Sequence, residues 1–221
     1  MKKLLCAVII MCSSFAAVFA ADIVAVKAAG QLIPAKLEKS EYPDEKSMVA
    51  FSTYSVLLSP QMYEAISGHL KDFELRPLSY YPAEIRHAYP FTISQSPSAV
   101  FGDFNGDKIE DAVFIGNDSK YAFTLVLLSR SEVMGKVPQA ISYSVKEFSK
   151  TPLAEENALH DATWSYLVLR RKGRIMIPND SSELEAVELR NDAFEVVIWG
   201  KAAVIYYLGE DNTFEKIISA D

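Results

Sequence analysis

The chain has 221 residues, half of them hydrophobic, and a formal charge of −7. That acidity argues against nucleic acid or an anionic membrane surface as partner, since both are bound through clustered Lys and Arg. The length and apolar content allow one domain with its own core.

Residues 1–20 have the three parts of a secretory signal. Lys2-Lys3 is the basic start, residues 4–11 are an apolar run, and a small-residue stretch ends in Val18-Phe19-Ala20, which suits cleavage before Ala21. The run breaks at Cys12-Ser13-Ser14, short of the roughly 20 apolar residues a spanning helix needs. No transmembrane segment is therefore expected after signal removal. Lipid attachment at Cys12 is disfavoured by Met11, where a small residue is wanted. The expected organisation is a signal peptide over residues 1–20 and a single β-rich domain over 21–221, periplasmic or secreted. Residues 1–20 hold Lys2, Lys3, Cys6 and Cys12 and no acid, so their removal moves the charge from −7 to −9 and leaves no cysteine. Disulfides and thiol chemistry are excluded, and stability must come from packing, or from packing plus a metal.

In chain order, residues 23–26 predict a short strand, 32–46 a charged, turn-like stretch with Pro34 and Pro43, and 48–58 a strand entering the core. Ser59-Pro60 is a helix start, because Ser caps and Pro suits the first helical position. Met62, Tyr63, Ile66 and Leu70 follow at helical spacing, with Gly68 and Pro77 limiting the helix to about three turns. Second and third short helices are expected at 82–87 and within 151–163. From residue 99 the chain reads as β, with strands at 99–101, 112–115, 121–128, 140–148, 164–170, 184–189, 194–199, 202–208 and 214–219. The short gaps between the last three predict an antiparallel meander. The fold class is thus α+β and β-rich: mainly antiparallel sheet with one to three short helices.

The stretch from Phe101 to Phe114 carries the main chemical signal. Asp103, Asn105 and Asp107 alternate, and Asp111 follows four residues later. Calcium takes six to eight oxygens from carboxylates, amides, backbone carbonyls and water. Three carboxylates and one amide oxygen could converge here, with the Ile109 carbonyl as a fifth ligand, while Gly106 permits the sharp turn. An EF-hand is excluded, because loop position 12 is Phe114 where that motif has a bidentate Glu. The competing reading is a plain hairpin on Asn105-Gly106, a strong two-residue turn signal. It would pair Phe101 with Glu110 and Val100 with Asp111, setting apolar residues against acids.

Gly102-Asp103-Phe104-Asn105-Gly106-Asp107, followed by Asp111-Ala112-Val113-Phe114, resembles the calcium-loop segment of FG-GAP (VCBS-like) repeats. The resemblance implies a structural calcium held by Asp103, Asn105, Asp107, Ile109 and Asp111. The family pattern has a second glycine where this chain has Lys108. If that position needs positive φ, Lys carries a penalty. FG-GAP repeats recur as propeller blades, but the motif occurs once here, and four blades of four strands would exceed the chain; a full β-propeller is not expected. More loosely, the stretch from Asp192 through Tyr207 to Asp221 resembles the tail of small exported bacterial proteins with one such loop, which implies no particular activity.

Other candidates have bland readings beside them. His160-Asp161 is half of a metal-hydrolase pair, while His69 and His87 stand alone. Glu155-Glu156 and Glu183/Glu185 read as solvated faces. Tyr80, Tyr81, His87, Tyr89 and Phe91 form an aromatic cluster that either closes the core or faces a ligand. Trp164 and Trp199 read as core. Arg170-Arg171-Lys172-Gly173-Arg174 marks a hairpin tip or docks an acidic partner. No nucleophile elbow, phosphate loop or dinucleotide fingerprint occurs. The functional expectation is an exported, non-enzymatic binding or interaction protein with one structural calcium loop and a protein or glycan partner. The alternative is a hydrolase of cell-envelope or secreted polymers with unidentified catalytic residues.

Overall fold

The structure, a computed structural model, describes residues 23–25, 36–43, 50–134, 137–160, 164–175 and 187–220. The expected signal segment, Asp161, Glu183 and Glu185 lie outside them. The chain enters through β1 (Ile23–Ala25), β2 (Lys36–Pro43) and β3 (Ala50–Leu58), which form a sheet in the order β1-β3-β2. The strand β2 replaces part of the turn-like stretch expected over 32–46. It lies at an edge of its sheet, where charged residues and a terminal Pro are tolerated.

Helix α1 (Pro60–His69) starts where Ser59 predicts: its Oγ accepts a hydrogen bond from Met62 N at 3.2 Å. Met62 and Ile66 are buried, whereas Tyr63 is 42% exposed, so the helix buries a narrower stripe than the sequence spacing suggests. After β4 (Glu74–Leu75) come a 3₁₀ turn (Leu78–Tyr80) and helix α2 (Ala83–Ala88).

The main sheet has the order β5 (Gln95–Ser96), β6 (Ala99–Gly102), β7 (Asp111–Asn117), β8 (Tyr121–Met134), β9 (Val137–Pro152), with β4 pairing the far end of β7. All of these pairings are antiparallel. β7 is buried on both faces, so Ala112-Val113-Phe114-Ile115 reads as a continuous apolar run. Successive side chains point to opposite faces. Phe101, Phe114, Leu125 and Leu127 therefore pack towards α1 and the end of β3, while Val100, Val113 and Val126 pack towards Leu167 and Phe194. Gly116 is required by a close approach, since a Cβ there would lie 2.2 Å from the Glu74 carbonyl oxygen. β8 and β9 are longer than their sequence pattern predicts. Beyond Leu127, where pairing with β7 stops, they continue as a two-stranded ribbon.

Helix α3 (Leu153–His160) follows, and then a second antiparallel sheet in the order β10 (Ser165–Arg170), β13 (Ala193–Ile198), β14 (Ala202–Leu208), β15 (Phe214–Ala220). Its last three strands form the expected meander. β11 (Gly173–Ile175) pairs with β12 (Val187–Leu189), and Leu189 packs with Ala193, Ile205 and Ile217 of the second sheet. The basic run 170–174 is thus a bend between two pairings, β10 with β13 and β11 with β12, rather than the tip of a hairpin. Trp199 lies just past β13 and is 39% exposed, which corrects its assignment to the core.

The protein is therefore a β-rich α+β structure with mainly antiparallel sheets and, among the described residues, three short α-helices, and its described sheets close into neither barrel nor propeller. Among the described residues no helix is long and apolar enough to cross a membrane.

Candidate cation-binding loop

The connection from β6 to β7 carries the candidate site. Gly102 pairs with Asp111 and Phe101 with Ala112, leaving an eight-residue connection over 103–110. A two-residue Asn105-Gly106 hairpin would pair Phe101 with Glu110 and need positive φ at both central residues. The positive φ values fall instead at Gly106 (82°) and Lys108 (67°). The plain-hairpin reading is overturned. Phe104 anchors the connection: it is 1% exposed and meets Phe194 edge-on with ring centroids 5.8 Å apart.

Short polar side chains then fold the loop by bonding to nearby backbone N–H groups, as Asp and Asn do in turns. Asp103 accepts from Gly106 N through Oδ1 at 2.7 Å and from Lys108 N through Oδ2 at 3.0 Å. Asn105 Oδ1 accepts from Asp107 N at 3.0 Å, and Asp107 Oδ1 from Ile109 N at 2.8 Å. The Asn105 amide donates to Ser129 O and Oγ at 2.9 and 3.2 Å.

Asp111 behaves differently from the other acids. It is 0% exposed. Its Oδ2 accepts from Phe104 N (2.8 Å) and Asn105 N (3.1 Å), and its Oδ1 from Ser129 N (2.6 Å) and Ser129 Oγ (2.7 Å). An ionised carboxylate offers about four lone-pair positions, and these four donors fill them. Burial pushes the Asp111 carboxyl up to about 6, against the downward pull of the Ser129, Phe104 and Asn105 donors. Ser129 Oγ also stands 2.9 Å from Asp107 Oδ2. Its single proton can serve only one of the two carboxylates at a time.

Across from the loop sits the bend between β12 and β13. Asp192 N donates to Asp103 O at 3.0 Å, and Asp103 N donates back to Asp192 Oδ2 at 3.3 Å. Arg171 Nη1 and Lys172 N also donate to Asp192, at 2.7 and 3.1 Å. Gly106 has φ 82°, which favours glycine, and a Cβ there would also have to displace the Asn191 side chain, whose Oδ1 would lie 2.6 Å away.

Of the five expected ligand positions, 103, 105, 107 and 109 lie within the connection itself and Asp111 opens β7. Both Asp103 oxygens and the Asn105 oxygen carry a single donor each among the described contacts. Asp111 differs from them in that its two oxygens face four of the protein's own donor groups. As the side chains stand, no group of three or more His, Cys, Asp and Glu is gathered closely enough to hold a metal among the described residues. Ser129 and Asp192 had no local signal in the sequence. They reach the loop only through strand pairing and the bend.

Lys108 occupies the left-handed position that the glycine of the FG-GAP pattern would fill. That backbone costs an L-residue about 1–2 kcal/mol, partly offset by the flexibility glycine adds to the unfolded chain. Lys108→Gly is expected to raise stability by up to about 1 kcal/mol, measured by urea unfolding. A loss of stability would show that Lys108 makes a compensating contact.

The remaining candidates resolve as follows. His69 Nε2 lies 3.2 Å from Glu147 on the surface, and His87 is exposed on α2. Of the aromatic cluster, Tyr81 and Tyr89 are buried, consistent with packing, Tyr80 and Phe91 are half-buried, and His87 faces solvent. Glu156 is not on a solvated face: it ion-pairs with Arg76, which is 5% exposed, donates to Ser165 Oγ at 3.4 Å and lies 4.4 Å from the Tyr80 ring centroid.

Comparison with family models, curated proteins and solved structures finds no match for the chain.

Proposed function

We propose that the protein is an exported, non-enzymatic binding or interaction protein, periplasmic or secreted, whose 103–111 loop takes up calcium as a structural ion. The supporting observation is the loop's backbone. An eight-residue connection turns through positive φ at Gly106 and Lys108 and carries oxygen-bearing side chains at 103, 105 and 107. Asp103 and Asp107 supply two negative charges, which balance a divalent ion, with the Asn105 amide and the Ile109 carbonyl as neutral ligands. So few protein ligands correspond to extracellular-module affinities of about 10⁻⁴ to 10⁻³ M. The ion would brace the loop between the main sheet and the bend at Asp192, presenting the surrounding surface to a protein or glycan partner.

The test is thermal unfolding of the signal-free protein in calcium and in chelator, alongside Asp107→Ala. Calcium at about ten times its dissociation constant adds about 1.4 kcal/mol, a rise in Tm of roughly 3–6 °C for a chain of this size. Asp107→Ala should remove that rise while leaving the chelated melt within a few degrees of wild type. Identical melts with and without millimolar calcium would end the proposal.

A further inference from the structure

The chain contains one Asn-Gly pair, Asn105-Gly106, and it sits inside the loop. Asn-Gly is the sequence most prone to spontaneous deamidation, because glycine has no side chain to shield its backbone nitrogen. The Gly106 nitrogen, after losing its proton, attacks the Asn105 side-chain carbonyl carbon. A new N–C bond closes a five-membered imide ring, the bond to the side-chain nitrogen breaks, and that nitrogen leaves as ammonia carrying the proton. Water then opens the ring at either carbonyl to give aspartate or isoaspartate. Water is the only co-reactant, and nothing is oxidised or reduced.

In the folded loop both reacting groups are held. Gly106 N–H donates to the Asp103 carboxylate at 2.7 Å, a charge-assisted bond that opposes loss of its proton. The Asn105 carboxamide is fixed at both ends: its nitrogen donates to Ser129 O and Oγ, and its oxygen accepts from Asp107 N. The Asn191 side chain also lies beside Gly106, its Oδ1 2.6 Å from where a Cβ would stand. Rotation of the carboxamide towards the Gly106 nitrogen requires these bonds to break together, so the reaction waits on loop opening.

We propose that Asn105 is a modification site whose hydrolytic deamidation is gated by the loop: suppressed while the loop is closed and released when it opens. The product cannot reclose the same loop. Aspartate at 105 removes the donor to Ser129 and adds a charge between Asp103 and Asp107, and isoaspartate also lengthens the main chain by one carbon. Each opening thus carries a chance of permanent loss of the closed form. The inference stands on the hydrogen bonds of the loop and does not depend on calcium.

The test is peptide mapping by mass spectrometry, scoring aspartate and isoaspartate at 105 over days at neutral pH in chelator. Folded wild type, wild type in urea, Asp103→Ala and Ser129→Ala are compared, with circular dichroism confirming that the variants are folded. Folded wild type is expected to react about tenfold or more slowly than the urea-unfolded chain, as opening-limited chemistry requires. Asp103→Ala and Ser129→Ala should each fall between the two. If either variant unfolds, the other still reports on a folded loop. If both unfold, the wild-type comparison decides. Equal rates in folded and unfolded wild type would overturn the proposal, as would folded variants that react as slowly as wild type.

Discussion

Replacing Asp111 with alanine is expected to lower the unfolding free energy by about 3–5 kcal/mol, because each buried donor left without an acceptor costs about 1–3 kcal/mol. The carboxylate is the shared acceptor for Phe104 N, Asn105 N, Ser129 N and Ser129 Oγ. At about 2–4 °C per kcal/mol for a chain of this size, Tm should fall by roughly 10 °C. Asp111→Asn should not rescue it, since the amide nitrogen would face donors with a donor. The loss should be the same in calcium and in chelator, as every partner is the protein's own. A loss that appears only in calcium would instead identify Asp111 as an ion ligand and remove its assignment as the backbone clamp.

Phe194→Ala should cost a similar amount, about 3–5 kcal/mol, the usual range for deleting a fully buried aromatic ring. Phe194 lies on β13, where its ring centroid is 5.3 Å from that of Phe148, 5.5 Å from Tyr206, 5.6 Å from Phe214 and 5.8 Å from Phe104. Three of these partners come from β9, β14 and β15, and the fourth comes from the loop. The variant should therefore weaken two properties at once: global stability, read by urea unfolding, and the calcium-induced rise in Tm, because Phe104 loses the surface that seats it. Phe194→Leu should recover most of the first. If the alanine variant retains the full calcium response, the loop does not depend on this core.

Features set by local chemistry were legible in the sequence. Ser59-Pro60 marked the start of α1, the strand expected at 202–208 is β14 residue for residue, and the alternation of Asp103, Asn105 and Asp107 located the loop. Features set by distant pairing were not. Nothing near Asp111 indicates that Ser129 will lie beside it; the β7–β8 register brings the two together. An acid at the ninth position of an oxygen-rich loop reads as one more ligand, and only the donors around it show that its lone pairs are taken. Glu156 looked solvated because Arg76, its partner, is 80 residues away. The basic run looked like a tip because the sequence does not reveal that Asp192 will sit in its bend. Lys36–Pro43 looked like a turn because charged residues and proline are tolerated on an edge strand.

The β8–β9 ribbon is anchored at the loop. Among the described strands, β8 and β9 pair only with each other from Leu128 to Met134, a stretch of seven residues, about 20 Å at strand rise. A two-stranded ribbon has little stability of its own. It is held at Ser129, one residue into this stretch, where Asn105 and Asp111 hold its backbone carbonyl and amide. The loop thus ties the base of the ribbon to the main sheet, so that the order of the one is coupled to the order of the other.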